Sequence, residues 1–259
     1  MRRRQCASRR LKGRGRVTYC VGILVREGLA MLADTRTNAG VDNISTYRKL
    51  RVYGNDGRRL IAVASAGSLS TTQAAIQRLQ NGILNPETGE VETLDNVPDI
   101  FSAALAAGRA LRASRDAMAG LQAEDVNFDA TFLVGGSIDG EKTRLFLVYS
   151  AGNAIECGSD TPYLQIGENK YGKPILDRAL RYDTDLKEAV KIALISFDST
   201  MRSNLAVGLP LDLMIARMGE GKTETLVRID DSDPYFHDLS QRWATALAHA
   251  REEIPSPPY

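Results

Sequence analysis

Residues 13–40 read GRGRVTYCVGILVREGLAMLADTRTNAG. Two apolar, β-branched-rich runs, TYCVGILV and GLAMLADTR, flank the short REG segment, which is the pattern of a β-hairpin. The hairpin opens on Thr18 directly after a basic leader, and Asp34 follows sixteen residues later. If Thr18 is the first residue of the working chain, its own α-amine stands beside its hydroxyl and can act as its base. If Val17 stays attached, that amine is an amide and the same residues are only a hairpin.

Further along, KLRVYG and LIAVASAG flank NDGR, whose Asp56-Gly57 pair is a strong turn signal, so the first third holds four strands. Residues 69–82 carry Leu69, Ala75, Ile76 and Leu79 at helical spacing, with Gly82 as a stop. The segment NPETGEVETLDN is a polar loop, and residues 98–120 begin with Pro98 and continue rich in Ala, Leu and Arg, which predicts a longer helix. ATFLVGG and TRLFLVYS form another hairpin. After YLQIG come helices near 172–181 and 184–200, the strands LPLDLMIARM and ETLVRI, and a last helix over 235–252. Hairpins dominate and no βαβ unit repeats, so a doubly wound parallel sheet is disfavoured. The expectation is an α+β domain over residues 18–252: two antiparallel sheets face to face, helices outside, a four-layer αββα sandwich. Residues 253–259, ending in PSPPY, read as a flexible tail.

The 259 residues contain 43% hydrophobic and 25% charged side chains, proportions that exclude a disordered chain, and no apolar run reaches the length of a membrane span. Three cysteines, Cys6, Cys20 and Cys157, lack metal-ligand spacing and argue against a disulfide framework. A reducing cytoplasm is the simplest home. The net charge of +1 conceals a division: residues 1–16 hold eight Arg or Lys and no acid, which leaves 25 basic and 32 acidic residues in the body. Four uses of the leader compete: a nucleic-acid arm, a twin-arginine export signal, a transit peptide, and a propeptide or misassigned start ending at residue 17. The acidic body offers no continuing basic surface for nucleic acid. Arg26 and Glu27 interrupt the apolar run an export signal needs. The fourth reading is preferred, because a start codon read as Val17 would place Met there, and its removal would leave Thr18 first.

A Thr hydroxyl attacks a carbonyl only when a base takes its proton and positive charge favours the alkoxide. A free α-amine, with a reference pKa of about 7.7–8.0, can take that proton directly or through one water. The further needs are a buried cation, a carboxylate to hold it, and a backbone N–H for the oxyanion. The hairpin from Thr18, the Lys49 of TYRKLR, the SAGSLS segment at Gly67, and the stretches PYLQIGENKYGKPILDRAL and FDSTMRSNLAVGLP together resemble the proteasome β-subunit group of N-terminal nucleophile hydrolases. The last two stretches make the bacterial Anbu branch more similar than HslV or the proteasome core.

That resemblance implies Thr18 as nucleophile and base, Lys49 as the cation tuning its hydroxyl, Asp34 as the partner orienting Lys49, and Gly67 as oxyanion donor. It implies no cofactor and no metal. Lys49 falls one residue short of the family's spacing, a small loop deletion. Glu168 and Asn169 stand where the group has Ser after a glycine, and Asn204 and Val207 stand where it has Asp and Ser. Arg36, Glu168, Asn169 and Asn204 are thus candidate outer residues. The implied activity is that of a threonine peptidase acting on peptides or unfolded polypeptide, confined within a homo-oligomeric ring or open spiral, with an unfoldase partner left unidentified. Two alternatives stay open: a noncatalytic or weakly active assembly protein of the same fold, and an amidohydrolase acting on a nonpeptide amide.

Each residue alone has a plainer role. Thr18 fits the opening of a strand, Asp34 the end of one, Lys49 a solvated turn, and Gly67 the relief of crowding. ARMGEGKT lacks the glycine a phosphate loop needs at Ala216 and reads as a hairpin turn. His237 and His249 fall in the last helical region and suit surface or capping roles. Leu239, Trp243 and Leu247 share a helical face, which predicts core packing or a subunit contact.

Overall fold

The computed structural model describes residues 18–38, 44–119 and 127–259. The leader, residues 1–17, lies outside the described residues, so its use is carried forward as part of the proposal below. In chain order the elements are β1 (Tyr19–Val25), β2 (Gly28–Asp34), β3 (Arg36–Asn38), β4 (Ile44–Thr46), β5 (Leu50–Gly54), β6 (Arg59–Gly67), α1 (Leu69–Asn81), β7 (Ile83–Leu84), β8 (Val91–Glu92) and α2 (Ile100–Ala119). They continue with β9 (Ala130–Ile138), β10 (Arg144–Tyr149), β11 (Ala154–Glu156), β12 (Tyr163–Gly167), α3 (Lys173–Ala179), α4 (Leu186–Ser203), β13 (Leu211–Arg217), β14 (Thr225–Ile229) and α5 (Pro234–Glu253).

One antiparallel sheet runs β12-β1-β2-β13-β14 and the other β11-β10-β9-β6-β5. Their facing sides meet through Cys20, Leu29, Met31, Ala62, Leu133 and Met214. The outer side of the first sheet carries Tyr19, Val21, Ile23 and Leu32 against Leu186, Leu194 and Phe197 of α4. The outer side of the second carries Ile61, Val63, Phe132 and Val134 against Ala103, Ala107 and Leu111 of α2. β1 and β2 are therefore buried on both faces, which explains why their sequences are nearly unbroken apolar runs rather than alternating ones. Each of the large side chains buried in these layers contributes about 1.5–3 kcal/mol by leaving water. Small residues set the spacing between sheets: a Cβ on Gly22 would lie 3.0 Å from Leu145.

Local chemistry starts and stops the helices. Ser68 caps α1, Asp185 accepts from Lys187 and Glu188 N–H at the start of α4, and Asp233 accepts from Phe236 N–H ahead of Pro234 in α5. GEGK is a turn between β13 and β14, and it meets the NDGR turn where Gly57 bridges Gly221.

Three features depart from the sequence reading. The polar loop after α1 pairs briefly as β7 and β8, the short β3–β4 pair follows Asp34, and β11 forms an edge of the second sheet. All are two or three residues long, too short to leave a periodic signature. The final helix also differs. Phe236 and Leu239 pack on the domain, but Leu247 is 51% exposed and the residues around it are exposed too, so the face shared with Trp243 leaves the core halfway along. His249 is exposed, and the His237 ring meets the carbonyl of Asp231 ahead of α5. No described helix is long and apolar enough to cross a membrane.

Candidate active site

The hairpin register brings the first candidates together. Cys20 pairs with Ala33, which sets Tyr19 against Asp34, and the Tyr19 N–H donates to Asp34 Oδ1 at 2.9 Å. Thr18 thus begins the strand next to the residue that ends its neighbour. Lys49 lies just before β5, tied to β6 by the Ser65 N–H donating to its carbonyl at 3.1 Å. Its Nζ reaches Asp34 Oδ1 at 2.8 Å and the Arg36 carbonyl at 2.5 Å.

Both charges are buried: Lys49 is 4% exposed and Asp34 is fully enclosed. A pair taken out of water to this degree survives only when each ion satisfies the other, because either alone would carry a desolvation cost of several kcal/mol. Burial pushes the Asp34 carboxyl up to about 6 while Lys49 pulls the other way. Asp34 Oδ2 has no partner among the described residues, so the carboxylate is held through a single oxygen.

That direction fixes a pH dependence. A carboxyl raised in the folded chain above its ordinary 3.8 binds a proton more readily there than in the unfolded chain. Its contribution to stability is full below about pH 4 and is lost as pH rises through about 6. Urea unfolding at pH 4, 5, 6 and 7 should therefore show wild type losing stability across this window relative to Asp34→Asn. Parallel curves for the two chains would contradict the burial of an ionised Asp34.

A cavity of about 30 Å³ is lined by Thr18, Lys49 and Gly67 with Thr37, Tyr47 and Thr72. It has room for a water molecule and polar groups to hold one. Larger clefts of about 390 and 420 Å³ lie between β5 and β14 and beside Pro210, but Thr18 lines neither. Gly67 ends β6 with φ +105°, where a Cβ would lie 2.4 Å from the Asp129 carbonyl, so no side chain fits there.

The outer candidates divide. Arg36 gives the site only its carbonyl, since its guanidinium donates to Leu205 O at 3.3 Å and packs against Gly208. Glu168 lies across from Thr18, its N–H donating to Thr18 O at 2.7 Å. The Glu168 carboxylate accepts from Asn204 Nδ2 at 2.9 Å and from the N–H groups of Asn169 and Lys170 at 2.9 and 2.8 Å. Asn169 therefore acts through its backbone, and Val207 fills the core below α4. Sequence reasoning passed over Ser65, Tyr47 and Thr37. Ser65 holds the Lys49 backbone, and the only signal for the other two is that they stand close to Asp34 and Lys49 in the chain.

Two antiparallel sheets face to face with helices outside, here with Lys49 buried on the Asp34 that ends β2, make a proteasome-like fold. The family model described as proteasome subunit matches residues 16–215. A proteasome subunit beta 2 of Pyrobaculum calidifontis is 27% identical over 213 residues, covering 80% of this chain and 95% of the relative. Among solved structures, Anbu (ancestral beta-subunit) from Yersinia bercovieri is 46% identical with a TM-score of 0.84, covering 93% of this chain and 99% of that one. The Pseudomonas aeruginosa chain in the structure described as the helical assembly of the Anbu complex is 41% identical with a TM-score of 0.82, covering 93% and 98%. The chain belongs to the proteasome subunit family, in its Anbu branch.

Proposed function

We propose that this chain is a threonine peptidase whose nucleophile is Thr18, exposed when residues 1–17 are removed or when translation starts downstream. The supporting observation is that Thr18, the buried Lys49–Asp34 pair and Gly67 meet at one small cavity. Thr18 Oγ gives its proton to its own α-amine, directly or through one water in that cavity, and attacks the carbonyl carbon of a peptide bond. Lys49 stabilises the developing alkoxide, and the Gly67 N–H receives the oxyanion. The C–N bond then breaks, the leaving amine takes the proton back from the α-ammonium, and an ester remains on Thr18. A water, deprotonated by the same amine, attacks the ester carbonyl; the acyl C–Oγ bond breaks, Thr18 Oγ takes the proton back from the α-ammonium, and the carboxylic acid product leaves.

The deciding experiment is N-terminal sequencing with intact mass on protein from its native host, followed by incubation with a peptide electrophile. A terminus at Thr18 carrying an adduct on that residue supports the reading. A terminus at Met1 in the assembled protein, with no adduct, would move the function to noncatalytic assembly, a reading favoured by the Glu168–Asn204 pair standing where the resemblance expects Ser and Asp.

The same reading makes the protein a cytoplasmic homo-oligomer that admits peptides or unfolded polypeptide. The outer half of α5 supports an intersubunit role, because Leu247 and Ile254 are 51% and 70% exposed and Trp243 is half-buried beside Ile195 and Leu239. A helix half with so little packing of its own is marginal in isolation. Trp243→Asp with Leu247→Asp should reduce the mass seen by light scattering while circular dichroism stays the same; unchanged mass would exclude α5 from the interface.

A further inference from the structure

We propose that Glu168 holds the α-amine of Thr18 in its ammonium form and so sets the pH at which the nucleophile is armed, an inference that rests on Thr18 being a free terminus. The β1–β12 ladder pairs Tyr19 with Gly167, and the Glu168 N–H continues it onto Thr18 O at 2.7 Å. Thr18 and Glu168 are therefore opposite residues, about 5.5 Å apart at Cα for a hydrogen-bonded antiparallel pair. Gly167 makes this approach possible: with φ +82°, a Cβ there would lie 2.1 Å from Thr18 O.

The carboxylate is held firmly. Asn204 Oδ1 accepts from the Ala206 N–H at 3.1 Å, which fixes the amide so that Nδ2 faces Glu168 Oε2. Oε1 takes the N–H groups of Asn169 and Lys170. All of these donors are neutral, and among the described residues no Lys or Arg pairs with Glu168. Among the described residues near Thr18, Lys49 and Asp34 form one pair, and the Arg36 guanidinium is turned to Leu205 O. The Tyr19 phenol, bonded to Ser196 Oγ, and the Cys20 thiol are both held uncharged by burial. Glu168 is thus a fixed anion whose cation is supplied only when processing creates an α-ammonium across the ladder.

An anion next to an ammonium favours the charged form. The α-amine is then a weaker base at neutral pH, and reactivity rises toward alkaline pH. Glu168→Gln keeps the shape and removes the charge, its single oxygen retaining the bonds from the Asn169 and Lys170 N–H groups and giving up the one from Asn204. In the chain beginning at Thr18, the rate of α-amine acylation by acetic anhydride, read by peptide mass between pH 5 and 10, gives the amine's midpoint without requiring activity. Glu168→Gln should lower that midpoint by about one pH unit, and the unprotonated fraction at pH 7 should rise by up to about tenfold. Glu168→Asp should restore much of the wild-type midpoint, which a merely structural role would not do.

Identical midpoints in wild type and Glu168→Gln would overturn the proposal, whatever the activity. A shifted midpoint supports it even if no variant forms an adduct with a peptide electrophile, in which case the peptidase reading falls alone. Adducts without a shift would leave the peptidase reading intact and sink the role of Glu168.

Discussion

Thr18→Ala is expected to reduce peptide hydrolysis and covalent labelling by on the order of 10³- to 10⁶-fold, the range seen when a nucleophile is removed from a machinery that acts as a unit. The base remains in this variant, as do the Lys49–Asp34 pair and the cavity, so only the attacking oxygen is lost. Thr18 is buried but small, and the backbone bonds beside it, Tyr19 N–H on Asp34 and Glu168 N–H on Thr18 O, are ones Ala preserves. The thermal midpoint should move little. Thr18→Ser keeps the hydroxyl and should retain measurable reactivity. The measurement is electrophile labelling by intact mass beside a thermal melt; labelling that persists in Thr18→Ala on a folded chain would place the nucleophile elsewhere.

Lys49→Ala is expected to damage both stability and chemistry. Among the described residues its ammonium is the cation bonded to Asp34, and removing one member of a buried pair leaves the other uncompensated, a loss of about 3–5 kcal/mol. Against a total stability of about 5–15 kcal/mol, that is enough to lower the urea midpoint severely. Reactivity at Thr18 should fall as well, since among the described side chains lining the cavity Lys49 is the cation beside the hydroxyl. The double variant Lys49→Met with Asp34→Asn separates the two effects. Removing both charges should recover much of the lost stability, because a neutral pair carries no such desolvation cost, yet reactivity should not return. A double variant that regains reactivity would show that the pair serves the fold alone.

The sequence by itself determined the strand-and-helix order, because long elements bury enough residues to leave a pattern. β1, β2, β6 and β9 are apolar along most of their length, α1, α4 and α5 start at side-chain caps, and α2 is an alanine-rich helix against a sheet. It also named Thr18, Asp34, Lys49 and Gly67, though through resemblance, since a lone threonine, aspartate or lysine has no periodic signal.

Tertiary structure decided what those residues touch. Only the hairpin register sets the Tyr19 N–H on Asp34, and only the approach of β5 to β2 buries the Lys49 ammonium on the same oxygen. Arg36 and Glu168 looked equivalent as outer candidates, but the fold turns the Arg36 guanidinium away to Leu205 and holds Glu168 beside Thr18 through Asn204, 36 positions along the chain. The apolar face of α5 was legible as a stripe, yet a stripe is the same whether a core or another subunit covers it. The physical reason is common to all of these: local sequence sets backbone conformation and burial tendency, whereas hydrogen bonds and charge pairs between distant segments exist only after the sheets have been registered and packed.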